Sequence, residues 1–61
     1  MFTVFVTWVD APKRSERLAN GSTTKRKIHA SMFQTREEAR RAAEQSLEGI
    51  PAVLAWRVAP F

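Results

Sequence analysis

The sequence predicts a small α+β domain: a three-stranded antiparallel sheet in spatial order 2-1-3, with one helix packed on one face and chain order ββαβ. Three observations carry this. Residues 2–9 are β-branched or aromatic without interruption, a composition that suits a pleated strand. Residues 35–48 carry small and apolar groups at helical spacing behind a capping signature. Residues 52–59 return to apolar, extended composition between Pro51 and Pro60. A chain of 61 residues has room for a single domain, 1–61, that buries only about 60% of its unfolded surface.

The first strand is expected in the middle of its sheet. Phe2, Val4, Val6 and Trp8 alternate with Thr3, Phe5, Thr7 and Val9, so both faces of the strand carry apolar groups. Residues 10–22 interrupt the pattern with Pro12 and the turn pair Asn20-Gly21. They read as a basic loop joining two strands, or as a short helix over 11–19 capped by Asp10 with Ala11, Leu18 and Ala19 inward. The loop is favoured, because isolated helices this short are marginal.

Residues 23–33 read as the second strand. Thr24, Arg26, Ile28, Ala30 and Met32 would form one face, and Lys25, Lys27, His29, Ser31 and Phe33 the other. Thr35-Arg-Glu-Glu38 then has the spacing of a capping box, and Glu37 and Glu38 complement the positive end of a helix. With Ala39, Ala42, Ala43, Ser46 and Leu47 on one stripe and Gly49 as the stop, the spacing predicts a helix over 36–48. In the last strand Ala52, Leu54, Trp56 and Val58 are expected on the core face. Val53, Ala55, Arg57 and Ala59 are expected on the other. The predicted core is Val4, Val6, Trp8, Ile28, Ala30, Met32, Ala39, Ala42, Ala43, Leu47, Ile50, Leu54, Trp56 and Val58.

The run Phe33-x-Thr35-x-Glu37-Glu38-Ala39 resembles the turn into a helix in the amino-terminal arm-binding domains of tyrosine recombinases. Ribonuclease H hybrid-binding modules show a similar turn. Those families place three strands before the helix, where this sequence reads as two before and one after. The resemblance covers about ten residues, which a capped helix after a strand also explains, and no functional residue is carried over from it.

Several function classes find little support. There is no cysteine, which excludes disulfides and thiolate metal sites. The single histidine, His29, has no cluster of carboxylates beside it to complete a zinc site. Ser15, Ser22, Ser31 and Ser46 lack the setting of an activated nucleophile, and Gly21 and Gly49 read as turn punctuation, not a phosphate loop. The sequence is thus expected to be non-enzymatic, with no cofactor and no metal. It shows no targeting signal and no apolar run near membrane-spanning length, so a cytoplasmic location without a membrane partner is expected. Arginine in excess of lysine, with nine alanines, fits a GC-rich bacterial or phage genome.

Charge is the most informative functional feature. Lys13, Arg14, Arg17, Lys25, Arg26 and Lys27 face only Glu16 within residues 13–27, while the chain as a whole carries +4. Localised positive charge suits an anionic partner, nucleic acid foremost. Those six cations are the expected phosphate contacts, with Phe5 and Arg57 as additional contributors on the outer sheet face. There Phe5 would sit among Lys27, His29, Arg57, Thr3, Thr7 and Val53. An aromatic among cations on a sheet can stack bases. The last strand, with Val53, Ala55 and Arg57, is the candidate edge for a partner or a homodimer. The alternative function is a protein-binding modulator, a small phage or bacterial factor docking on a larger protein with an acidic surface through that edge or the basic loop.

Overall fold

A computed structural model describes all residues, 1–61. It is an α+β domain with one helix and an antiparallel sheet, but the sheet has four strands. They are β1 (Phe2–Trp8), β2 (Ala11–Ala19), β3 (Ser22–Thr24) and β4 (Val53–Pro60), in spatial order β3-β2-β1-β4. Helix α1 (Arg36–Leu47) lies between β3 and β4 in the chain, so three strands precede the helix, not two. The helix is too short to cross a membrane.

β1 is central, as its doubly apolar composition requires, and its neighbours decide the rest of the topology. A central strand needs hydrogen-bond partners on both sides. The nearest available chain is the segment just beyond Val9-Asp10, which closes a hairpin with little loop entropy. Residues 11–19 therefore form β2, where sequence reading expected a loop or helix. Pairing of Trp8 with Ala11, then of Val6 with Glu16 and Phe5 with Arg17, leaves an irregularity over the intervening β2 residues. Pro12 sits there, outside the regular ladder where its missing N–H would leave a gap. Asn20-Gly21 is the expected turn, Gly21 supplying the positive φ of 80° and β3 pairing back on β2.

The expected second strand over 23–33 is the largest correction. Only Ser22–Thr24 pair as β3; Lys27–His29 then form a 3-10 turn. Ile28 is 83% exposed and Met32 53%, so neither belongs to the core. The consecutive cations Lys25, Arg26 and Lys27 have no acid within ion-pair distance and are exposed, which ends the strand at Thr24. The chain then binds both central strands: Ser31 N–H donates to Leu18 C=O (2.9 Å), and Phe33 exchanges backbone hydrogen bonds with Phe2 (2.8 and 2.9 Å). This segment takes the side of β1 that β2 has left beyond Phe5.

Helix α1 starts as its sequence predicts. The Thr35 Oγ1 accepts from Glu38 N–H at 3.1 Å, although Glu38 does not complete the reciprocal half of the box. Arg40 bonds Glu37 (2.5 Å) and Glu44 (2.6 Å) on the exposed side. The hydrogen bond and charge of Arg40 hold the Glu37 carboxyl below its ordinary 4.5. Ala39, Ala43 and Leu47 are buried against the sheet. They meet Val4, Val6 and Leu18, with Phe2, Trp8, Phe33, Ala42, Val53, Trp56 and Val58 packed around them.

β4 carries a bulge that reverses part of its expected facing. Thr7 pairs with Ala55, but Trp8 pairs with Val53, so Leu54 is the extra residue. Val53 consequently joins the helix side, while Leu54 turns away and is 54% exposed. Beyond the bulge, Val4 opposite Val58 and Val6 opposite Trp56 keep the expected pattern.

Thr3 is the one polar residue that is fully buried, and its Oγ1 has no hydrogen-bond partner. A buried hydroxyl without a partner costs about 1–3 kcal/mol. Thr3→Val keeps the β-branched shape and removes the orphan oxygen. It is expected to raise stability by about 1 kcal/mol, read as a higher urea midpoint at unchanged slope.

Candidate functional site

The sheet face opposite α1 collects the residues that bear on binding. Strand alternation turns Met1, Thr3, Phe5 and Thr7 to this side. Cross-strand pairing adds Arg17 opposite Phe5 from β2, and Ala55, Arg57 and Ala59 opposite Thr7, Phe5 and Thr3 from β4. Thr24, paired with Arg17, extends the face to β3. Phe61 continues it at the other edge, its N–H donating to Met1 C=O at 2.9 Å.

At the centre stands a three-residue row. The Arg17 guanidinium carbon lies 4.7 Å from the Phe5 ring centroid and that of Arg57 lies 4.6 Å from it. One arginine comes from each strand flanking β1, so the guanidiniums approach the ring from opposite sides. Each such contact contributes about 0.5–1 kcal/mol at an exposed site and fixes the direction of a long side chain. Neither arginine has a carboxylate within ion-pair distance. The Arg17 Nε is buried without a hydrogen-bond partner, while Thr7 and Ser15 share a hydroxyl contact of 3.3 Å beside the row.

The acids lie elsewhere. Glu16 pairs with Val6, which puts it on the helix side, where Thr23 donates to it at 2.6 Å. Glu37, Glu38, Glu44 and Glu48 belong to α1 and its end, and Asp10 sits in the β1–β2 turn. The outer face thus presents positive charge with no compensating carboxylate, a field that attracts anions.

The basic window is divided by this fold. Arg17 joins Phe5 and Arg57 in the row. Lys13 and Arg14 lie in the irregular part of β2, where with Asp10, Ala11 and Pro12 they line an open depression. Lys25 and Arg26 follow β3 as exposed side chains. Lys27 places its Nζ 5.1 Å from the Phe61 ring, at the Met1 end of the sheet. Lys27 and His29 belong to the 3-10 turn and Val53 to the helix side, so none of the three flanks Phe5 as sequence reading expected. The neighbour that reading missed is Arg17, which became visible only once residues 11–19 paired as a strand. Of the expected edge residues, Ala55 and Arg57 face outward on β4, and Val53 does not.

A second concavity, of about 340 Å³, opens on the helix side between the end of α1 and the β2–β3 hairpin, with Trp8, Leu18, Leu47 and Ile50 as its apolar walls. Comparison with family models, with curated proteins and with solved structures returns no match.

Proposed function

We propose that this domain is a non-enzymatic binding module for nucleic acid and that it uses the sheet face opposite α1 about Arg17, Phe5 and Arg57. The observation that supports this reading most is the row Arg17–Phe5–Arg57 on a face without acids. Two guanidiniums held apart by a ring are oriented in advance, so little side-chain entropy is lost when each meets a phosphate. The ring itself is flanked on both sides and serves as a spacer; the planar guanidiniums are the groups left to bind phosphate or stack on a base. Lys27 at the Met1 end, the exposed Lys25 and Arg26 after β3, and Lys13 and Arg14 in the irregular part of β2 add further cations around the row. Such contacts read no sequence.

Fluorescence anisotropy against labelled single-stranded DNA, duplex DNA and RNA, at low and physiological salt, tests the proposal. The expected result is similar affinity for different sequences, with log affinity falling linearly as log salt rises. Absence of binding to all three at low salt would overturn it. The acid-free face would then be read as the docking surface for an acidic protein.

A further inference from the structure

We infer that the free edge of β4 pairs with a second copy of this chain about Trp56, joining two sheets into one of eight strands. The direction of the backbone groups sets this up. Phe2 bonds to Phe33 and Met1 C=O accepts from Phe61, so alternate residues of β1 turn their backbone groups toward β4. By the same alternation Ala55, Arg57 and Ala59 of β4 bond β1. Trp56 and Val58 direct N–H and C=O away from the sheet, where no strand follows.

The two edges of the sheet are treated differently. β3 is three residues long and runs into Lys25-Arg26-Lys27, a combination that discourages pairing. β4 is eight residues long, and between Val53 and Ala59 it has no lysine, acid or proline. An unguarded edge of this length is a template for another strand.

Charge selects the register. Centred on Arg57, a two-fold pairing would set the two Arg57 side chains directly opposite one another, which is unfavourable. Centred on Trp56, it sets each Arg57 opposite Ala55 of the second copy. The thin core supplies a reason for such a contact, since only 8 of 61 residues are buried and small domains often gain stability by self-association. In the dimer the two Phe5 rows share one continuous face, with the two β1 strands about 14 Å apart.

Sedimentation equilibrium on the full chain, without nucleic acid, tests this independently of the binding function. The expected wild-type mass is twice 6.9 kDa at high concentration. Ala55→Glu places a carboxylate opposite each Arg57 of the other copy and should tighten dimerisation about two- to thirtyfold, while Ala55→Lys should weaken it by a similar factor. In the single chain Ala55 is exposed and faces Thr7, so both variants are expected to fold, as circular dichroism would verify. A wild type that stays monomeric at every concentration overturns the inference. A dimer indifferent to both charges overturns pairing through β4.

Discussion

Replacing Arg17 and Arg57 together with alanine is expected to weaken nucleic-acid binding about a hundredfold at moderate salt. The estimate takes each lost charge-assisted contact at about 1.5 kcal/mol, the low end for exposed groups, and tenfold in affinity per about 1.4 kcal/mol. The salt slope should fall by about 1.4 on a single strand or about 1.8 on duplex DNA, as two phosphate contacts disappear. Folding should survive, because both side chains lie on the face away from the core. The contacts to Phe5 are lost, about 0.5–1 kcal/mol each, together with the packing of the half-buried Arg17 stem. Lys25→Ala, Arg26→Ala and Lys27→Ala in one chain should cost less affinity, since the exposed Lys25 and Arg26 side chains have no ring to hold them and must be ordered on binding. If this triple change were more damaging than the double one, the interface would lie in the segment after β3 and not on the sheet. Arg17→Lys with Arg57→Lys separates charge from shape. Those side chains keep the salt slope but lose the planar fork, so affinity drops while the slope holds.

How much of this was legible in the sequence depends on whether local or long-range terms decided each element. Thr35, the alanine stripe and Gly49 specify α1 through interactions within a few residues, and the helix ends within one residue of where they put it. β1 and β4 were legible because their composition leaves no alternative. β2 was not: Pro12, Lys13 and Arg14 argue against a strand, and only the unmet hydrogen bonds of β1 outweigh them. Leu18 was the available signal, as the one large aliphatic side chain between Val9 and Ile28, and it is buried as β2 pairs. The bulge at Leu54 has no sequence mark at all, since neither glycine nor proline is present there. The candidate site followed the same division. Phe5 and Arg57 were placed on the outer face by alternation alone, whereas Arg17 needed the β1–β2 register to become their neighbour. Lys27 and His29 were assigned to the sheet by extending an alternating pattern through a segment whose charges keep it solvated.

Leu47 and Leu54 should respond to truncation in opposite ways. Leu47 is 5% exposed at the end of α1, in contact with the only sizeable core the chain has. Leu47→Ala is expected to cost about 2–5 kcal/mol. A domain of this length has a total stability of about 3–9 kcal/mol, so the variant should be largely unfolded at the lower end of that range and show a sharply reduced urea midpoint at the upper. Leu54 has the same side chain and was equally apolar to the eye, but the bulge has turned it out of the core. Leu54→Ala should therefore shift stability by no more than about 0.5 kcal/mol, measured at dilution where single chains prevail. Equal losses at the two positions would mean that β4 runs without its bulge, with Leu54 against the helix and Val53 outside. That one-residue slip would leave the pairing of Phe5 with Arg57 intact, because the slip begins only between Thr7 and Trp8. The two leucines thus test the least legible feature of the fold without touching the residues proposed to bind.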